Sequence, residues 1–147
     1  MNIGIIGSAA ANLWRAYSSY QRVPQDLDIV ATYDDIQALV RAIKASGERV
    51  LSQYPIDSGK KVFIQTEKVI IEAEVAWPGS SGEALLALIM SETGTGVEMW
   101  GVTLMAPRLD ILYMLKMSHR YLKNSPHFLK TMMDIHHMRA LGCKIRP

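Results

Sequence analysis

The sequence predicts an α+β fold, a sheet of about four to five strands joined to a C-terminal helical pair. Short apolar runs closed by turn residues fill residues 1–78, and helical spacing prevails over residues 79–147. No repeat, low-complexity tract or linker divides the chain, so all 147 residues read as a single domain. A chain of that length, 49% hydrophobic and 20% charged, buries one sizeable core without staples.

Met1 to Ile6 is an apolar run that Gly7-Ser8 closes, the pattern of a buried strand feeding a turn. Residues 9–20 carry alanines with Leu13, Trp14 and Tyr17 at helical spacing, and Pro24 ends that unit. The run Asp26-Leu27-Asp28-Ile29-Val30-Ala31 is a strand. Asp34-Asp35 then begins a helix with Ile36, Leu39, Val40 and Ile43 on one side and Gly47 after its end.

Residues 49–77 read as β structure: Val50 to Tyr54, a turn near Asp57-Ser58-Gly59, Lys61 to Gln65, then Lys68 to Trp77. In the last run Val69, Ile71, Ala73 and Val75 alternate with Ile70, Glu72, Glu74 and Ala76, so one face is apolar and the other carries two carboxylates. Ser80 and Glu83 match a capping box, which predicts a helix over 82–92. Val97 to Leu104 reads as a short strand, and Pro107 opens a helix carrying Leu109, Ile111, Leu112, Met114, Leu115 and Met117. Ser125-Pro126 caps a last helix that stops at Gly142.

Charge and cysteine usage narrow the function. The net charge of +2 is too small to indicate nucleic-acid binding by itself. Its distribution is uneven, because Arg108, Lys116, Arg120, Lys123, Lys130, Arg139, Lys144 and Arg146 face only Asp110 and Asp134 in the C-terminal stretch, which suits a polyanion. No apolar run approaches the roughly 18 residues of a membrane span, and the N-terminus lacks a charged leader. With Cys143 as the single cysteine, the expectation is a cytoplasmic protein without an internal disulfide or a membrane partner. His119, His127, His136 and His137 lack the spacing of zinc ligands and read as surface or core-edge residues, with a role as substrate contact or general acid left open for His119, one position from Arg120.

The chemistry centres on Asp26 and Asp28. A strand's period of two puts both carboxylates on one face about 7 Å apart, within reach of shared hard divalent cations. An aspartate pair in an apolar strand is costly unless positive charge lies between its members. Gly7-Ser8 adds a turn that opens toward a helix N-terminus, where backbone N–H groups favour anions. Lys116 and Arg120 stand at i and i+4, so they project from one helical side and suit a triphosphate or a nucleic-acid backbone.

In this order, Ile6-Gly7-Ser8, Asp26-Leu27-Asp28-Ile29 and Ile71-Glu72-Ala73-Glu74 resemble the motifs of the DNA polymerase beta-type nucleotidyltransferase superfamily. The resemblance covers roughly residues 1–78. It implies a mixed sheet with helices packed on one side and a site in which three carboxylates bind two Mg²⁺ (or Mn²⁺) ions. Asp26 and Asp28 are then metal ligands, and Glu72 or Glu74 is the third carboxylate, the one that activates an attacking hydroxyl. Gly7 and Ser8 become phosphate contacts. The segment between Gly7-Ser8 and Asp26 is longer than the family's usual gap.

The function implied is transfer of a nucleotidyl or related phosphoryl group from a nucleoside triphosphate to a hydroxyl, on a nucleic-acid or protein acceptor among others. Two other readings stay open. The same carboxylates would serve a nuclease or phosphohydrolase. Alternatively, the domain is a non-catalytic nucleotide- or nucleic-acid-binding module, such as a toxin–antitoxin component. Acceptor, nucleotide and oligomeric state are not fixed by these residues.

Overall fold

Alternating burial along the strands decides which way each one faces, and from that the layers follow. The computed structural model describes residues 1–6, 26–91, 94–108, 111 and 113. They form strands β1 (Ile3–Ile6), β2 (Asp26–Ala31), β3 (Val50–Ile56), β4 (Lys61–Thr66), β5 (Ile70–Val75), β6 (Thr95–Met99) and β7 (Val102–Ala106), with helices α1 (Tyr33–Ala45) and α2 (Ser81–Ser91). The strands make one mixed seven-stranded sheet in the order β3-β4-β5-β2-β1-β7-β6. Its pairs are antiparallel except β2 with β5 and β1 with β7.

Every second residue of the central strands points to one side. Ile3, Ile5, Leu27, Ile29, Ala31, Ile64, Ile71, Ala73 and Val75 build the main core there, closed by Ile36, Leu39, Val40 and Ile43 of α1. The helix starts where the sequence places its acidic first turn, and Thr32 is its cap: the hydroxyl accepts from the Asp35 backbone N–H at 3.2 Å. A smaller core lies on the opposite side, where Leu86 and Ile89 of α2 meet Val30 and Ala76, with Ile6 and Met105 beside them. The capping box holds. Ser80 Oγ accepts from the Glu83 N–H at 3.2 Å, and the Glu83 carboxylate reaches back to the Gly79 N–H at 3.1 Å.

Three expectations need correction. The sheet has seven strands, not four to five, because residues 95–106 fold back into a β6–β7 hairpin that docks beside β1. The single strand expected over Val97 to Leu104 is broken at Trp100 and Gly101, whose φ values of 53° and 73° make a tight left-handed turn. The two described helices also do not share a side: α1 covers one face and α2 the other. The sheet therefore continues past residue 78 to Ala106. The helix over 9–20 and the C-terminal helical pair fall outside the described residues, apart from Ile111 and Tyr113, both buried. No described helix is long and apolar enough to cross a membrane.

Candidate active site

β2 and β5 are separated by 38 residues of chain, between Ala31 and Ile70, yet they lie side by side and parallel. Their register pairs Asp28 with Glu72 and Val30 with Glu74, while Asp26 pairs with Ile70. With neighbouring strands about 4.8 Å apart, Asp28 and Glu72 rise from adjacent positions of one face. Asp26 stands on the same face two residues away and is exposed; Asp28, Glu72 and Glu74 are half-buried. The register thus sets Asp28 and Glu72, from two separate stretches, beside each other on one face of the sheet.

The row through Asp28 continues across five strands. Ile6 of β1 pairs with Asp28, Glu72 pairs with Phe63 of β4, and Phe63 pairs with Tyr54 of β3. The next row holds Gly4, Val30, Glu74 and Lys61. That second row runs under α2: Val30 is packed by the helix, and a Cβ built on Gly82 would lie 3.4 Å from the Glu74 Cγ. Glu72 therefore shares a row with Asp28, whereas Glu74 sits at the foot of α2 with Lys61 on its other side.

Oxygen donors of this kind suit a hard divalent cation. Among the described residues, no three Asp, Glu, His or Cys side chains are gathered closely enough to hold one. Their donor chemistry suits Mg²⁺, but the register sets only Asp28 and Glu72 side by side, and no third described carboxylate converges on them. Gly7, Ser8, Lys116 and Arg120 lie outside the described residues, although β1 ends at Ile6, beside Asp28, where the chain leads into Gly7.

A cavity of about 320 Å³ opens on the other face, between α1 and the β3–β4 hairpin. Tyr33, Gln37, Gln53, Tyr54, Pro55, Gly59, Val62 and Trp77 line it, with Trp77 stacked on Tyr33 at 5.7 Å and its indole N–H donating to the Gly59 carbonyl at 2.9 Å. Among the described residues its lining is aromatic, aliphatic and amide, with no charged side chain. Sequence reasoning passed over Phe63, Tyr54 and Lys61 as neighbours of the carboxylates. Alternation in residues 61–66 does put Lys61, Phe63 and Gln65 on one face, but only the β4–β5 register shows that this face is the acidic one.

The model of a domain of unknown function, DUF7277, matches residues 4–108, and that of a second, DUF7275, matches residues 111–147. None of the curated proteins matches the sequence. Among solved structures, the fold is similar to an antigenic nucleotidyltransferase-like protein from Paracoccidioides brasiliensis, with a TM-score of 0.59 and 19% identity over 95% of this chain and 67% of that one. It is also similar to ANT(2")-Ia, crystallised in complex with adenylyl-2"-tobramycin, with a TM-score of 0.54 and 15% identity over 95% of this chain and 78% of the other. The chain has a nucleotidyltransferase-like α+β fold.

Proposed function

The chain belongs to the family of the domain of unknown function DUF7277, and on that premise we propose that it moves a nucleotidyl or related phosphoryl group from a nucleoside triphosphate to a hydroxyl. The observation that carries this reading is the pairing of Asp28 with Glu72 on the face that also bears Asp26. Two sequence-distant acidic stretches meet there beside the end of β1, and the fold is that of nucleotidyltransferase-like proteins.

In this scheme Asp26, Asp28 and Glu72 would hold Mg²⁺ or Mn²⁺, and such ions would supply positive charge for an in-line displacement at phosphorus. Glu72, paired with Asp28 across β2 and β5, would take the proton of the attacking hydroxyl. That oxygen forms a bond to the α-phosphorus as the bond to the bridging oxygen breaks, and pyrophosphate leaves with the electron pair. Gly7 and Ser8, which follow β1 in the sequence, would be the phosphate contacts that the resemblance implies, and Lys116 and Arg120 would add positive charge. Glu74, held at the foot of α2 beside Lys61, stays out of the reaction. The lone Cys143 agrees with work in the cytoplasm.

Nucleoside triphosphates labelled at the α-phosphate, incubated with the protein and Mg²⁺ or Mn²⁺, test the proposal. Transfer of label to a hydroxyl-bearing acceptor with release of pyrophosphate is the expected result. Release of free nucleoside monophosphate alone, or scission of added DNA or RNA, would instead assign hydrolysis to the same carboxylates. Tight nucleotide binding that ignores the metal and survives loss of Asp26 and Asp28 would leave only a binding module.

A further inference from the structure

On the face that carries the carboxylates, the in-register row reads Ile6, Asp28, Glu72, Phe63, Tyr54, and so it has two different ends. One end is β1, which leads into Gly7. The other is an aromatic pair on β3 and β4, with the rings of Tyr54 and Phe63 stacked at 4.9 Å and 26°. Tyr54 is 48% exposed, on the outermost strand, and Phe63 is half-buried. The stacking covers one face of each ring and leaves the outer faces and edges of this sheet-edge pair as apolar surface beside hydrogen-bonding groups. Gln65 and Ser52 flank it in one neighbouring row, and Lys61 and Ile56 in the other.

We propose that Tyr54 and Phe63 form the platform on which the acceptor lies, so that the acceptor is a molecule whose hydroxyl is carried on a ring. The proposal rests on the transfer reading given above and names the substrate class of that site. An in-line displacement requires the attacking oxygen and the leaving pyrophosphate to stand on opposite sides of the α-phosphorus. If the phosphates approach from the β1 end, the hydroxyl must arrive from beyond Glu72, and the next two side chains in that direction are Phe63 and Tyr54. With strands about 4.8 Å apart, the two aromatic positions lie about 5 and 10 Å from Glu72, the span of one ring and its substituent. The stacked ring holds its hydroxyl over Glu72, which takes the proton. The new phosphorus–oxygen bond then forms as the bond to pyrophosphate breaks. Gln65, Ser52 and Lys61 supply donors and acceptors at the rim of the platform, and the open-chain part of an acceptor gains nothing from the aromatic faces.

The test compares acceptors matched in hydroxyl chemistry but not in shape: uridine and methyl glucopyranoside against glycerol and serine, each with the four α-labelled nucleoside triphosphates and Mg²⁺. The wild-type chain should label at least one ring acceptor with a kcat/KM about tenfold or more above either open-chain acceptor, the scale of stacking on an aromatic side chain. Tyr54→Ala should raise the KM of that ring acceptor by about tenfold with kcat much less affected, and Tyr54→Trp should restore it. Equal labelling of ring and open-chain acceptors, or an unmoved KM in Tyr54→Ala, overturns the platform while the transfer reading stands. No label on any acceptor overturns both.

Discussion

On the α1 side, β1, β2, β4 and β5 present Ile5, Ile29, Ile64 and Ile71, none more than 2% exposed. On their other side β2, β4 and β5 present Asp28, Phe63, Glu72 and Glu74, all only half-buried. A strand's period of two lets one segment face both ways, so that DLDIVA contributes Leu27 and Ile29 to the main core and Asp26 and Asp28 to the acidic face of the candidate site. The comparison teaches where stability and chemistry separate. Half-buried carboxylates on adjacent strands repel one another and weaken a fold unless a cation or hydrogen bonds compensate. Substitutions on the two faces should accordingly show up in different measurements.

The largest effects belong to activity on the acidic face. Asp26→Asn combined with Asp28→Asn should abolish metal-dependent turnover, a loss of more than about 10³-fold, while thermal unfolding moves by no more than a few degrees. Retained turnover in that variant would remove the carboxylate site altogether. The register sharpens the choice between the two glutamates: Glu72→Gln should lower kcat by roughly 10²–10⁴-fold, the scale of a lost general base. Glu74→Gln should leave kcat within a few-fold, since Glu74 pairs with Val30 and Lys61 rather than with an aspartate. The reverse ranking would make Glu74 the third carboxylate.

Across the sheet the readout changes from rate to stability. Ile43 is fully buried in α1 against the main core, so Ile43→Ala removes apolar contact and leaves a cavity. A destabilisation of about 2–5 kcal/mol is expected in urea unfolding, with the KM for nucleotide unchanged at temperatures where the variant is folded. A loss below about 1 kcal/mol would mean that α1 does not hold the sheet as its burial indicates.

Much of this division was legible in the sequence because it rests on local periodicity. The strand over 26–31, the alternation that leaves Glu72 and Glu74 on the polar side of β5, and the capping box before α2 are local patterns, and each is found where it was expected. The pairing of β2 with β5 is not local. Nothing in residues 26–31 states that Asp28 will lie beside Glu72 rather than Glu74, since a slip of two residues keeps every side chain on its face. The side taken by each helix was hidden for a similar reason. α2 is apolar almost all round, in Ala84, Leu85, Leu86, Ala87, Leu88, Ile89 and Met90, so its sequence names no single buried stripe and no sheet face. The β6–β7 hairpin was missed because its turn uses Trp100 at positive φ, where Asn or Asp is the usual signal. Gly7, Ser8, Lys116 and Arg120 belong to segments outside the described residues, so only the sequence speaks for them: the resemblance for Gly7 and Ser8, the i, i+4 spacing for Lys116 and Arg120.

The smallest effect tests how α2 reaches the acidic face at all. Gly4 sits in the middle of β1 directly beneath that helix, and a Cβ added there would lie 3.0 Å from the Ile89 Cδ1 and 3.1 Å from the Val30 Cγ1. Val30 is fully buried, and its branched side chain has few alternative rotamers on a strand, so that contact stays tight and relief is open only on the α2 side, where Ile89 or the helix gives by a few tenths of an ångström. Gly4→Ala should therefore destabilise by about 1–3 kcal/mol through overpacking. Adding Ile89→Val removes the Cδ1 that crowds the new methyl, so the double variant should be more stable than the sum of the two single changes predicts. Strict additivity in unfolding would show that the helix already has room over β1, and the close seating of α2 beside the Asp28 row would then not be what confines the open part of that face to Asp26, Asp28, Glu72 and the aromatic pair.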